Sequence, residues 1–557
     1  MGEQHAEKAR CGRFFCGNFL GDPAKIIEAA GKLWYTERNE PQGGVCLYAK
    51  IMSAGLYGLN AYPVEIEVDT ARGMAAFEVV GLPDAAIRES RDRVRAAFKN
   101  SGYEFPVQKI TVNLAPADLK KSGPLYDLPI FLALLAACGQ THADFAGSMF
   151  FGELAMNGEV RRVQGILPMA ALARELGYAR IFVPEENVKE ASAVLGDGDM
   201  EVYGVSHVCQ VVDFLENVRD LAPAPPLAFS PGSTPGQPDM ADVRGQEFAK
   251  RALEIAAAGS HNALLIGPPG SGKSMLAQRI PSILPDLTFE EAIEVTKIHS
   301  IAGELTNDCP ILTERPFRAP HHTVSPAGLS GGGSVPRPGE ISMAHNGVLF
   351  LDELPEFSRA AMEILRQPIE TGTVTISRAG GSASFPCRMI VIAAMNPCPC
   401  GYYGHPTRPC TCTKSQVQRY LGRVSGPLLD RLDLHVDVAP VEFSDLSSGE
   451  KAEPSAAIKK RVDAARAIQR ERFAGTAVRC NAQMPAEMVE EACRIPAQGS
   501  ALLQRAFEQM GMSARGYHRI LKVARTIADL EGERDIQTRH LAEALQYRSL
   551  DRKYFSR

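Results

Sequence analysis

No apolar run in this 557-residue chain is long enough to cross a bilayer, so a membrane-spanning helix is excluded. The opening stretch MGEQHAEKARCGRFFCGNFLGD has charges and glycines where a secretory signal needs an apolar core, which makes the cytoplasm the expected compartment. An excess of positive charge is missing too. With 60 Lys and Arg against 65 Asp and Glu, the net charge is -5. The surface is therefore not basic throughout, and any nucleic-acid contact has to come from local patches inside a ring or groove. Complete disulfide pairing is excluded by count, because the 13 cysteines are odd in number. Four of them sit in one tight cluster, which in a reducing compartment points to metal or free thiols.

The length exceeds what one hydrophobic core organises. Between Asp220 and Met240 the stretch LAPAPPLAFSPGSTPGQPDM is dense in Pro, Gly and Ser and continues neither helix nor central strand. Before it, alternating Val64, Ile66, Val68 and Ile110, Val112, Leu114 read as strands, with a helix over Asp84 to Ser101. After it, apolar strands at 263–266, 348–351 and 389–394 alternate with helices, the pattern of a parallel sheet with its ligand at the strand ends. The expected fold class is α/β. Its expected parts are a poorly structured extension (1–45), an α/β domain (46–220), a linker (221–240), an α/β phosphate-loop core (241–450) and a helical region (451–557).

The chemistry concentrates in that core. Gly267, Pro268, Pro269, Gly270, Ser271, Gly272, Lys273 and Ser274 spell GPPGSGKS, between the apolar run ending at Ile266 and a helix opening through Met275. Strand, glycine-rich turn and helix in that order bring backbone N–H groups to one point, where they favour phosphate oxygens; Lys273 would reach the β and γ phosphates and Ser274 would hold Mg²⁺. The strand Val348–Leu351 ends at Asp352 and Glu353, one carboxylate to hold the metal and one to polarise water. A further apolar strand ends at Asn396, a neutral group suited to orient that water, or else a turn former before Pro397. GPLLDRLD from Gly426 and SARGYHRILKVART from Ser513 supply arginines that can stabilise charge on a transferring phosphoryl group, often from a neighbouring subunit.

Taken in order, the phosphate loop, LDE, the Asn-ended strand, PLLDR and SAR resemble an AAA+ ATPase. DVRGQEFAKRALEIAAAG from Asp242 is similar to the segment that packs near the adenine in such enzymes. RAPHHTVSPAGLSGGG from Arg318, PRPGEISMAHNGVLFLDELPEF from Pro336 and NPCPCGYYGHPTRPCTCT from Asn396 closely resemble the ComM/YifB family of bacterial magnesium-chelatase-like ATPases. The resemblance implies a central three-layer AAA+ domain with a C-terminal helical lid, using ATP and Mg²⁺. It also implies a hexameric ring motor on single-stranded or branched DNA, acting as a branch-migration helicase during natural transformation. It implies Lys273 and Ser274 as Walker A, Asp352 and Glu353 as Walker B, Asn396 as sensor 1, Arg431 as arginine finger and Arg515 as sensor 2, with Arg519 the rival. The N-terminal domain resembles the Lon protease domain in FGELAMNGEVRRVQGIL from Phe151, IFVPEENVKE from Ile181 and KKSGPLYDLP from Lys120. Leu125 stands where that domain has its serine and Leu167 where it has its lysine, so Ser-Lys chemistry is unavailable and a scaffold is expected.

Cys398, Cys400, Cys410 and Cys412 form two Cys-x-Cys pairs around a Gly- and Pro-containing turn, suited to tetrahedral Zn²⁺ or to reduced thiols packed in a turn. TGTVTISRAGGSASFPCR reads as a hairpin with Arg378, Arg388 and no acid, a candidate pore element that tracks DNA phosphates. A second candidate pore element is the glycine-bearing loop from His321 to Pro338, and Ala456 to Phe473 reads as a basic amphipathic helix. The competing reading is a magnesium-chelatase-like ATPase that remodels a protein partner, for which aromatic pore loops would be the signature.

Overall fold

A computed structural model of the chain describes residues 48–195, 200–227, 229–230, 232, 238–306, 309–333, 336–378, 381–440, 452–510, 512–550 and 554; the 1–45 extension lies outside them. Strands β1 (Tyr48–Tyr57), β2 (Asn60–Ala71), β3 (Ala76–Val80) and β4 (Lys109–Ala115) form one sheet in the order β1-β2-β4-β3. Val64, Ile66, Val68, Ile110, Val112 and Leu114 are all fully buried, as a two-residue period facing one core requires. Helix α1 (Ala85–Asn100) begins at Asp84, whose carboxylate accepts the Ile87 N–H as an N-cap. Helix α2 (Asp127–Ala137), apolar almost all round, runs through the middle of the domain. Strand β5 (Ser148–Phe150), helix α3 (Ile166–Glu175), strand β6 (Arg180–Pro184) and strand β7 (Glu201–Val205) complete it, the strands forming a parallel three-stranded sheet. Leu125 and Leu167 are both buried in this core.

The described residues 221–227 of the proline-rich segment form neither helix nor strand, yet they are not a free tether. Leu221, Ala224 and Leu227 pack on the N-terminal core, and the Ala224 N–H donates to the Val202 carbonyl at 2.8 Å.

The second α/β domain is built on α4 (Glu247–Gly259), β8 (Ala263–Ile266), α5 (Lys273–Gln278), α6 (Phe289–Ala302), β9 (Phe317–Arg318), β10 (Val348–Leu351), the hairpin β11 (Thr373–Arg378) and β12 (Gly381–Pro386), β13 (Ile390–Met395), α7 (Lys414–Leu421) and β14 (Leu434–Asp437), with one hydrophobic cluster on each face of its sheet. The sheet order is β9-β10-β13-β8-β14 with every pairing parallel, so all carboxyl ends share one edge and all amino ends the other. Strands β8, β10 and β13 are buried along their whole length, which is why they read as unbroken apolar runs. The N-terminal domain docks beside α6: Arg162 donates to the Leu305 carbonyl at 2.6 Å, and Ser300 donates to the buried Glu190 carboxylate.

The helical region is led by α8 (Ser455–Arg472), α9 (Ala497–Met510), α10 (Ala514–Leu530) and α11 (Thr538–Gln546), and shares one hydrophobic core with α4. Its basic face is largely engaged within the chain. Lys459 pairs with Asp286, Arg461 with Glu254 and Glu453, and Arg472 with the fully buried Asp529, while Arg466 donates to the Ala257 carbonyl.

Candidate active site

The phosphate loop leaves the carboxyl end of β8 in the turn that its glycines dictate. Gly270 and Gly272 have φ of 75° and 87°, left-handed backbone that a side chain resists. At Gly267 a Cβ would lie 2.3 Å from the Val438 carbonyl oxygen, so only glycine fits. Lys273, buried at the start of α5, donates from Nζ to the carbonyls of Gly267 and Pro268, each at 2.8 Å, and to Asn396 Oδ1 at 3.2 Å. Burial lowers its pKa below the ordinary lysine value, with the Asp352 charge opposing. Ser271 is buried, Met275 remains partly exposed, and Gln246, ahead of α4, donates to the Ser271 carbonyl at 3.4 Å.

Neighbouring strands bring their ends to the same edge. Ser274 Oγ donates to Asp352 Oδ2 at 2.6 Å, so the hydroxyl and carboxylate expected to share a metal already touch. Both are hard oxygen donors, which fit Mg²⁺. Glu353 follows with φ of 52° and its carboxylate Oε2 lies 3.3 Å from His322 Nδ1. Spacing in the sequence gave no sign of that contact. Lys273, Ser274, Asp352 and Asn396 therefore meet at this edge, and Glu353 follows Asp352 there with its carboxylate on His322.

Arg431, Arg515 and Arg519 are elsewhere. Arg431 precedes β14, whose first residue Leu434 pairs with Ala263, the first of β8; it sits at the amino edge, opposite the phosphate loop. Its guanidinium donates to the Arg366 carbonyl at 3.0 Å and the Pro427 carbonyl at 2.6 Å, and pairs with Glu370 at 2.7 Å. Arg515, 68% exposed, lies 4.0 Å from the same Glu370. Arg519 is mostly buried, pairs with Asp433 at 3.3 Å and has a buried Nη1 without a hydrogen-bond partner. Arg431 and Arg519 line a cavity of about 1210 Å³ at this edge, together with Lys522, Asp433 and Glu370. Burial alone would raise the Asp433 pKa, but the hydrogen bond from His261 and the Arg519 charge outweigh it and set it at about 2.

The two arginines assigned to the hairpin part company. Arg378 closes it, its backbone paired with Gly381. Arg388 lies beyond β12 and lines the amino-edge cavity. Val374, Ile376, Ala383 and Phe385 are buried on one hairpin face, while Thr373, Thr375, Ser377, Ser382 and Ser384 are exposed on the other. In the His321 to Pro338 loop a short helix, Pro326–Ser330, leads into Gly331, with φ of 91°.

The four clustered cysteines do converge: their sulfurs lie within 4.8 Å of one another. Among the described residues no helix is long and apolar enough to cross a membrane.

Three family models match in sequence along the chain: "Subunit ChlI of Mg-chelatase" over residues 66–187, "Magnesium chelatase, subunit ChlI" over 239–446 and "Magnesium chelatase, subunit ChlI C-terminal" over 452–548. Competence protein ComM of Haemophilus influenzae is 44% identical over 90% of this chain and 98% of its own length. The YifB proteins of Salmonella typhimurium and Escherichia coli are 45% and 44% identical, each over 89% of this chain and 96% of theirs. On that extent of likeness, the chain belongs to the ComM/YifB family of magnesium-chelatase-like AAA+ proteins.

Proposed function

We propose that the protein is an ATP-hydrolysing ring motor in the cytoplasm, a hexamer that drives branch migration of DNA during recombination of transforming DNA. The observation that carries this reading is the division of the nucleotide machinery between opposite edges of one sheet. Loop, carboxylates and Asn396 lie at the carboxyl edge and Arg431 and Arg519 at the amino edge, so no chain completes a pocket with its own arginines. A head-to-tail ring, presenting the amino edge of one copy to the carboxyl edge of the next, completes every pocket.

Within that pocket the loop N–H groups and Lys273 hold the phosphates, Glu353 polarises the attacking water and Asn396 orients it. Ser274 and Asp352 hold Mg²⁺, which when bound neutralises phosphate charge. From the adjoining copy Arg431 stabilises charge developing on the transferred group, with Arg519 favoured over Arg515 as sensor 2 because Arg519 lines the cavity and has a buried Nη1 without a hydrogen-bond partner. The four cysteines suit Zn²⁺. The N-terminal domain, with Leu125 and Leu167 in its core, serves as a Lon-like scaffold that docks on the motor.

DNA as substrate is supported by likeness to a competence protein over nearly its full length. It is also supported by a hairpin whose exposed face bears hydroxyls, whereas its one aromatic, Phe385, is buried and cannot grip a polypeptide. The test is ATP turnover with and without single-stranded or four-way-junction DNA: stimulation is expected, and basal turnover indifferent to both would reject the DNA reading.

A further inference from the structure

The cysteine turn touches the phosphate loop. Cys398 follows Asn396 by two residues on the chain leaving β13, and the Gly401 N–H donates back to the Cys398 carbonyl at 3.0 Å. Gly401 then lies directly against Pro269: a Cβ there would come within 2.4 Å of Pro269 Cδ and 2.7 Å of Cγ. At its far end the turn enters α7, where Thr413 caps the helix by accepting the Gln416 N–H at 3.3 Å.

The sulfur spacings are those of a metal cage. Cys398, Cys400 and Cys410 sulfurs are separated by 3.3, 3.5 and 3.7 Å. Four thiolates at the usual zinc–sulfur distance of about 2.3 Å stand about 3.8 Å apart along a tetrahedral edge, whereas a disulfide would need about 2.05 Å. All four cysteines are free thiols. The Cys412 N–H donates to Cys410 Sγ at 3.4 Å, a bond that suits an anionic sulfur. His405 is engaged within the turn, where its Nδ1 accepts the Thr407 and Arg408 N–H groups at 3.2 and 3.0 Å, and it does not join the four clustered sulfurs. Residues 402–409 include no buried side chain, which leaves this stretch without a core of its own. Metal binding in such a segment supplies the folding free energy that packing does not.

We infer that Cys398, Cys400, Cys410 and Cys412 bind one zinc ion whose clamped turn braces Gly401 against Pro269 of the phosphate loop, making zinc loading a control on the catalytic competence of the nucleotide site. This rests on the nucleotide-site reading above. Zinc does not enter the reaction; it fixes the Asn396-bearing strand end and the loop relative to one another. Loss of the ion frees the turn and loosens both. A misplacement of about 1 Å in groups that orient the reactants costs on the order of 100-fold in rate.

The test uses the full-length protein, prepared anaerobically, with magnesium kept in excess throughout. Elemental analysis is expected to give one zinc per chain. A chelator selective for zinc is expected to lower ATP turnover by about 100-fold, with helical content by circular dichroism unchanged and turnover restored by added zinc alone. Cys412→Ser should lose zinc and turnover together. Pro269→Ala, which removes the ring resting on Gly401, should keep its zinc and turn over slowly. Protein that contains no zinc when made with zinc present overturns the site. Zinc-loaded protein whose turnover is indifferent to stripping overturns the brace. Zinc-loaded wild type that hydrolyses no ATP, alone or with DNA, overturns the nucleotide-site reading instead.

Discussion

Two variants, each inactive alone, should together recover activity. Lys273→Ala removes the cation that meets the phosphates, and Arg431→Ala removes the guanidinium at the opposite edge of the sheet. Strand β8 separates these edges by four residues, about 13 Å at about 3.3 Å per residue. The Arg431 side chain is also held where it is by two carbonyls and Glu370. In the proposed ring it acts on the nucleotide of a neighbouring copy. Loss of an arginine in this role costs about 10³ to 10⁵ in turnover, or roughly 4–7 kcal/mol of transition-state stabilisation. In a head-to-tail ring assembled from equal amounts of the two variants, a pocket needs an intact loop from one copy and an intact arginine from the next. Chance pairing satisfies both at about one half times one half, or about a quarter of the interfaces. ATP turnover of the mixture, read against each variant alone after a denature-and-reassemble step, should approach a quarter of wild type. Turnover no higher than either variant alone, with tagged copies shown to co-assemble, would refute the shared-pocket argument.

Other outcomes follow from the same contacts. Glu353→Gln should bind ATP as wild type does and turn it over at least about 100-fold more slowly, measured by nucleotide binding beside phosphate release; unchanged release would remove Glu353 from the chemistry. Arg378→Glu should weaken single-stranded DNA binding in proportion to low salt, and equal affinities across a salt series would take the hairpin off the DNA path. Asp433 has its carboxyl held at about 2 against an ordinary 3.8, so its ionised form stabilises the fold. That contribution, about 2 kcal/mol, is fully present above pH 3.8 and is lost as the pH falls from there towards 2. Asp433→Asn should thus lower stability by about this amount at neutral pH, with the gap to wild type closing in acid. A gap independent of pH would show that the charge does not stabilise.

Sequence and structure agree best where the chemistry is local along the chain. GPPGSGKS with its flanking strand and helix, and the apolar run before Asp352, are short patterns whose backbone requirements show in glycine spacing and apolar content. The strand before Asn396, read at 389–394, runs Ile390–Met395. Contacts made across the fold left no such trace. His322 reaches Glu353 because β9 and β10 are parallel neighbours, and periodicity does not report which strands pair. The separation of Arg431 from the phosphate loop follows from strand order in the same way. The basic residues of α8 look like a surface stripe in sequence, yet Lys459, Arg461, Arg466 and Arg472 have partners on other segments. Arg388, two residues beyond the hairpin strand, turns to the opposite cavity because the chain must cross to the amino edge to begin β13.

The most direct measurement is migration of a labelled four-way DNA junction by the purified protein with Mg-ATP, with Glu353→Gln as control. Conversion of the junction to product duplexes by wild type, none by the variant, and none without ATP is the predicted result. Steady ATP hydrolysis by wild type that leaves the junction intact would contradict it.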